Sequence, residues 1–496
     1  MRLNPFLHGI ASGDPLADRV VLWTRVTSDE PEVDASWTIA RDAQMRDVVA
    51  EGTTVASVDH DHTVNVDVGG LEPATTYYFG FGAAGGTSPV GRTRTLPAGA
   101  LERVRFAIVS CAKHNAGFFN AYGRIADRDD LDFLLHLGDY IYEAADKPPA
   151  SQTPGADIGR DFEPRHECKT LADYRQRYAQ YHRDPDLQRL HATHPIIATV
   201  DDHEFADGAW RGGSTEHDDA RDGSWADRVA AAWQAKWEWV PARQPDASDP
   251  TRVFRSVRLG DLAELFLTDV RSRRDEPVPA PAMDDPARSM YGPEQRGWLF
   301  DALAASAAPW KLIANPSVMS RTWAPEIPDE ALAGMLKLKL IDGDGAGPDW
   351  DQWDGYPHEK KALLRHLRDE VSGDAVVLSG DIHISIASEL RLPGPDGEAT
   401  IAPEFITGSI TSQNLDDKLG WGYRTESLAA ERAFRGALPH VRWCDFDSHG
   451  YVVIDVTAAR VLAEWWAVDT VLECTDGESL ASRWMVPAGA KAPEPG

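Results

Sequence analysis

The sequence predicts a large α/β core behind a small all-β unit. Up to about residue 100 it breaks into short apolar or alternating runs separated by Gly, Pro and Asp, the pattern of a small sandwich. From about residue 103 short apolar runs alternate with helical stretches, the rhythm of an α/β sheet. At 496 residues, 42% hydrophobic with 17 tryptophans, the chain exceeds one ordinary domain and can bury a core. The expected division is a β-sandwich over 1–100, an α/β domain over 101–485 and a flexible tail over 486–496.

In the first unit, DRVVLWTRV, ASWTIARD, VVAEGTTVASV and HTVNVDV are the candidate strands. In LEPATTYYFGFGA, Leu71, Pro73 and Tyr77 resemble the corner that precedes a late strand in fibronectin type III-like domains. GRTRTLPAGALERV, rich in Gly, Pro and charge, reads as a linker. In the second unit the candidate strands are VRFAIVS, DFLLHLG, PIIATV, LAELFLT, WKLIAN and AVVLSG. The helical candidates are TLADYRQRYAQYH, DRVAAAWQAKWEWV and GPEQRGWLFDALAAS, the last with Trp298, Leu299 and Leu303 at helical spacing. HGYVVIDVTAARVLAEWWAVD reads as a terminal hairpin.

Charge narrows the function. With 50 Lys plus Arg against 79 Asp plus Glu, a formal net charge of -29 disfavours nucleic acid and anionic membranes as main partners. It leaves phosphate esters open as small-molecule substrates, because bound cations invert a local field. Four widely spaced cysteines without a CxxC pair argue against a zinc ribbon and leave the pairing of Cys168, Cys444 and Cys474 open. No stretch is long and apolar enough to span a bilayer. With no export leader visible, the expectation is a cytoplasmic protein, with an exported mature form as the alternative. GGST at 212–215 has no strand before it and no Lys after it, so it is no P-loop.

The strongest signal is where the polar residues fall. FAIVS leads into Cys111, FLLHLG into Asp139 and Tyr142, and IIATV into Asp201, Asp202 and His203. LFLT leads into Asp269 and Arg271, and VVLSG into Asp381 and His383. Ligands of open α/β sheets bind beyond the carboxyl ends of the strands. If these strands share a sheet, five clusters of metal-capable residues converge.

GDYIYE, DDHEF and SGDIHIS resemble the motif blocks of the calcineurin-like metallophosphoesterases, in the variant of the alkaline phosphatase D family. HGIASGDPLADRVVLWTR is similar to that family's amino-terminal domain. The blocks fall in the family's order over most of the chain. The resemblance implies a metallophosphoesterase core, a β-sandwich flanked by helices, behind a fibronectin III-like domain. It implies phosphoric ester hydrolysis with Fe3+ and Ca2+ as cofactors.

Residue by residue, Asp139 is expected to bridge two cations, with Tyr142 as a phenolate on the trivalent one, since iron suits phenolate and carboxylate oxygens. Cys111 is read as an iron ligand by the resemblance; on residue type alone it could be a buried apolar filler. Asp202 takes a metal role and His203 faces the phosphoryl or leaving oxygen, while Asp201 supports one of them. Where relatives often carry two Asn residues, this chain has Ala206, Asp207 and Gly208. Asp381 replaces the first His of the superfamily's GHxH block, a change that suits a harder cation such as calcium, and His383 falls to the iron side. Arg271 is a candidate substrate-phosphate contact, against an ion pair with Asp269. Asn315 is a possible further ligand.

Two activities share this ligand set: a phosphomonoesterase with an alkaline optimum, and a phosphodiesterase with phospholipase D-type activity. Loops 143–165 and 321–356 are expected to set the pocket width. A binding protein with a dead α/β domain is disfavoured, because every candidate ligand is present.

Overall fold

The computed structural model describes residues 4–146, 158–246, 248–322, 350–394 and 397–496. Most of the 321–356 loop and the middle of the 143–165 loop therefore lie outside the described residues. A ten-stranded sheet and a seven-stranded sheet form the body, with a five-stranded sheet at the amino-terminal end. In the larger sheet Arg103–Val109, Phe133–His136 and Ile196–Ala198 run parallel at the centre. In the second, Ala263–Leu267, Trp310–Ala314 and Asp374–Ser379 run parallel. The buried positions of these strands are mostly apolar, as expected of strands covered on both faces.

One buried cluster joins the two sheets. Ile108, Leu135 and Ile454 of the first pack with Leu265, Leu312, Val376 and Phe405 of the second. The faces turned away from this core carry helices. Leu171–Tyr181, Pro185–Thr193 and Trp225–Trp239 cover one side, and Gly292–Ala305 and Pro357–Asp369 the other. The three expected helices thus form; Thr170 and Asp173 start the first with a reciprocal capping box. Burial of each such aliphatic side chain contributes about 1.5–3 kcal/mol. The result is a sandwich of two mixed sheets between helical layers.

The amino-terminal unit differs from a free-standing domain. Its strands Ile10–Gly13, Arg19–Arg25 and Thr63–Gly69 continue the ten-stranded sheet, joined through the parallel Gly13–Ile196 pairing. Gly13 is required there: a Cβ would lie 1.8 Å from the Pro241 carbonyl oxygen. Across from them, Glu32–Ala40, Val48–Ser57 and Thr76–Ala83 form the five-stranded sheet, and Leu22, Ile39, Val64 and Phe79 fill the space between. The expected tyrosine corner is present: the Glu72 N–H donates to Tyr77 Oη at 2.9 Å. The expected linker instead contains the strand Gly91–Arg94, paired with Thr76–Ala83.

The carboxyl-terminal hairpin forms as Gly450–Thr457 and Arg460–Val468. The tail expected to be flexible is tied down. Glu494–Pro495 pairs with Glu478–Pro487, and Lys491 bridges to Asp374 at 2.7 Å. All four cysteines are free thiols. Among the described residues no helix is long and apolar enough to cross a membrane.

Candidate metal centre

The parallel strands of both sheets end at the same edge of the sandwich, and their carboxyl-terminal turns carry the cluster. Ligand atoms of Cys111, Asp139 and His383 lie within 4.8 Å of one another; so do those of Asp139, Asp202 and His203, and those of Asp139, Asp201, Asp202 and Asp381. Asp139 belongs to all three groups. Tyr142 joins them, donating its hydroxyl to Asp139 Oδ2 at 2.9 Å with His383 Nε2 at 3.2 Å. Six of the predicted metal ligands thus meet in one place.

The backbone is bent to achieve this. Cys111, Asp139, Asp381 and His383 have φ of 59°, 53°, 71° and 61°, the left-handed region that non-glycine residues avoid at a cost of about 1–3 kcal/mol each. Four such residues fall in this one cluster, so backbone strain is concentrated at the candidate site. Gly138 allows the close approach of two strand ends, since a Cβ there would stand 2.4 Å from the Asp201 nitrogen.

Residues that sequence reasoning missed hold these turns. The Glu204 carboxylate accepts the N–H groups of Asp139, Tyr140 and Asp201 at 3.0, 2.7 and 2.7 Å, fastening two strand ends together. Glu143 accepts from His203 Nδ1 at 2.7 Å and from the Asp207 N–H at 2.8 Å. Gln352 donates to Asp381 Oδ2 at 2.6 Å. Asp351 takes Arg271 at 2.7 Å and Arg274 at 2.6 Å. Glu143 and Glu204 lie within the motif blocks that were legible; Asp351 and Gln352 belong to the 321–356 loop, which was expected to border the pocket, but nothing in the sequence singled out these two residues.

Arg271 is not placed as expected. Its guanidinium is fully buried and engaged by Asp201, Asp351 and Asp381. Only its backbone N–H meets Asp269. A guanidinium buried and turned toward three carboxylates does not reach the cleft to meet a substrate phosphate; it neutralises the carboxylates from behind. Asn315 is also excluded from the cluster. Its side chain accepts from Tyr291 and Trp353 and donates to the Ser317 carbonyl.

The electrostatics follow from burial and crowding. Burial, reinforced by the charges of Asp202, Glu204 and Asp381, pushes the Asp139 carboxyl well up, and burial with neighbouring carboxylates does the same to Asp201. Burial, with Asp139 and Asp381 nearby, pushes the Cys111 thiol up, and burial with Asp139 raises the Tyr142 phenol. Burial would lower His203, yet Glu143, Asp139 and Asp202 hold its imidazolium well above the usual range. Burial and the Lys418 charge keep His383 neutral, and its Nδ1 bonds to the Gln413 carbonyl at 3.1 Å, leaving Nε2 toward Tyr142.

Buried oxygen-rich clusters of this kind call for cations. Asp202 Oδ1 is buried with no hydrogen-bond partner among the described residues. A thiol, a phenol, an imidazole and several carboxylates form a donor set that fits metal ions. Beside the cluster lies a cleft of about 390 Å³ lined by Tyr142, His203, His383, Asp207, Lys113 and Lys418, among others.

The PhoD-like phosphatase family matches residues 106–465, and its amino-terminal domain matches residues 1–97. The chain belongs to the PhoD-like phosphatase family. Alkaline phosphatase D of Bacillus subtilis (strain 168) is 33% identical, over 97% of this chain and 80% of that protein. A solved structure described as that of PhoD superposes with a TM-score of 0.85 at 30% identity, covering 98% of this chain and 91% of that one. This PhoD-like chain therefore shares that structure's architecture over 98% of its own length.

Proposed function

We propose that the chain is a metal-dependent phosphoric ester hydrolase that releases inorganic phosphate from monoesters, in the manner of an alkaline phosphatase. The observation that carries this reading is the convergence of Cys111, Asp139, Tyr142, Asp202, Asp381 and His383 on one cleft edge in a PhoD-like chain. The donor types support a hard trivalent cation such as Fe3+ held by Cys111, Asp139, Tyr142 and His383. They support an oxygen-bound divalent cation such as Ca2+ held by Asp139, Asp202 and Asp381.

Such cations supply Lewis acidity toward the phosphoryl oxygens and lower the pKa of the attacking water. The chain's own residues do the rest. Asp139 joins the two halves of the cluster. Glu143 accepts a hydrogen bond from His203 Nδ1–H at 2.7 Å, which fixes the ring in the wall of the cleft. There His203 donates a proton to the leaving oxygen or a hydrogen bond to the phosphoryl group. The Tyr142 ring lies against the His203 ring, centroids 3.9 Å apart, and limits its swing. Glu204 holds both strand ends rigid, so the site reacts without reorganising.

The test is turnover of p-nitrophenyl phosphate and of bis-p-nitrophenyl phosphate by the metal-replete protein. Faster monoester turnover is expected. Preference for the diester would replace this reading with the phosphodiesterase, and no turnover of either would refute both.

A further inference from the structure

We propose that Lys113 and Lys418 are the side chains that bind the substrate's phosphate, and that they favour a monoester dianion over a diester monoanion. The inference rests on the phosphoric ester hydrolase reading and gives it a recognition element.

The role is open because Arg271 does not reach the cleft, being fully buried and engaged by Asp201, Asp351 and Asp381. The cleft is otherwise hostile to phosphate. Glu143, Glu167, Asp207 and Glu216 line it, on a chain of formal net charge -29. Apart from His203 and His383, the basic side chains among its described lining residues are Lys113 and Lys418. The cluster's four carboxylates, thiolate and phenolate would balance Arg271 plus one trivalent and one divalent cation. That sum leaves no excess positive charge in the cluster, so ammonium groups on the cleft wall would add the long-range attraction for a phosphate dianion that the cluster itself lacks.

The two lysines are also placed together by construction. Lys113 follows Cys111 by two residues, and its carbonyl accepts from Thr411 Oγ1 at 2.8 Å. The Ser412 N–H donates to the Cys111 carbonyl at 3.2 Å, and the Gln413 carbonyl meets His383 Nδ1 at 3.1 Å. Asn414 then caps the short helix Leu415–Leu419 that carries Lys418. It is held by the Asp447 carbonyl at 2.6 Å and by Ser409 Oγ at 3.0 Å. One pinned loop thus fixes Lys113, His383 and Lys418 relative to each other. The Lys113 ammonium stands 5.7 Å from the Tyr142 ring centre, at the cluster's edge. An ammonium binds phosphate as a movable point charge, which suits an open cleft. Two of them match two negative charges; a diester brings one charge and a second arm.

The experiment compares metal-replete wild type with Lys113→Met, Lys418→Met, the double variant and Lys418→Arg. It measures KM and kcat on p-nitrophenyl phosphate and bis-p-nitrophenyl phosphate, Kd for inorganic phosphate by calorimetry, and bound metal by elemental analysis. Each Met variant is expected to raise monoester KM and phosphate Kd about tenfold, as for loss of one charge-assisted hydrogen bond. The kcat, the metal content and the diester KM should stay within about threefold, and Lys418→Arg should recover most of the affinity. Unchanged KM and phosphate Kd in the double variant would overturn the proposal. Equal losses on both esters would overturn its selectivity claim, and loss of metal would show that the lysines act elsewhere. If wild type turned over neither ester, the hydrolase reading would fail instead, while the phosphate titration would still judge the lysines.

Discussion

The two halves of the cluster that Asp139 joins are built from opposite materials. One side offers Cys111, Tyr142 and His383, a single donor of each kind, with no buried cation among them. The other offers Asp201, Asp202 and Asp381, like charges packed together, with the Arg271 guanidinium driven between them. The first half is poor in charge; burial keeps its thiol and phenol protonated until a cation displaces the protons. The second half is overcharged, and Arg271 makes it foldable. On the proposed assignment, the mixed thiolate, phenolate and imidazole donors of the first half would discriminate between metals, while oxygen count and charge in the second would select only for a hard cation.

The largest effect that would break this comparison lies in the carboxylate half. Asp202→Asn should reduce phosphatase turnover about a thousandfold, roughly 4 kcal/mol of transition-state stabilisation, with elemental analysis showing loss of the divalent cation and retention of the other. Loss of both metals together would mean the halves are not separable.

Tyr142→Phe should cost about tenfold to a hundredfold in kcat, the usual range for one metal-site contact. It should also change the visible absorption of the iron-loaded protein by removing the phenolate-to-iron charge-transfer band, leaving what the Cys111 thiolate contributes. An unchanged spectrum would remove Tyr142 from the iron half. Glu143→Gln should lower kcat by about a hundredfold through His203 and leave metal content unchanged.

Arg271→Met probes the overcharged half without touching a ligand. Removing one partner of a buried ion network costs about 3–5 kcal/mol, so urea denaturation of the chelated protein should register that loss. Loading the metals should restore part of it. An unaffected midpoint would mean the carboxylates do not need the arginine.

The smallest effect comes from a contrasting cation. Lys236 is also buried, but its ammonium has no hydrogen-bond partner among the described residues and rests 3.9 Å over the Trp237 ring. Burial, with the Arg255 charge adding to it against Asp14, Glu204 and Asp269, lowers it to about 7. An unfolded lysine still binds its proton between pH 7 and 10.5 where the folded one has released it. This group therefore opposes folding at and below pH 7, and its penalty fades as pH rises toward 10.5. Lys236→Met should raise the midpoint at pH 7 by a few degrees, a gain that shrinks by pH 10. A destabilised variant would show that the ammonium is paired.

Much of this was legible in the sequence because it is local. Apolar runs ending in Cys111, Asp139, Asp202 and Asp381 announced both the strands and the edge where chemistry would gather. What was not legible depends on distant pairing. Nothing near Gly13 says that it adjoins Ile196, so the amino-terminal unit read as separate although its strands complete the main sheet. Arg271 was misread for the same reason. Its three acidic partners at 201, 351 and 381 are scattered along the chain, while Asp269 stands two residues away. Residue type allowed a phosphate contact or an ion pair with Asp269; packing turned the side chain inward to these three instead.

Asp139→Asn tests the central claim most directly, because among the described residues Asp139 is shared by all three groups of candidate ligands. The variant should be assayed on p-nitrophenyl phosphate beside wild type, after chelation and again after addition of iron and calcium. The account predicts that wild type loses activity on chelation and regains it with both metals. It also predicts that the variant stays about a thousandfold down under every condition and binds fewer metal ions. A folded Asp139→Asn protein with full activity, or a wild type indifferent to chelation, would contradict it.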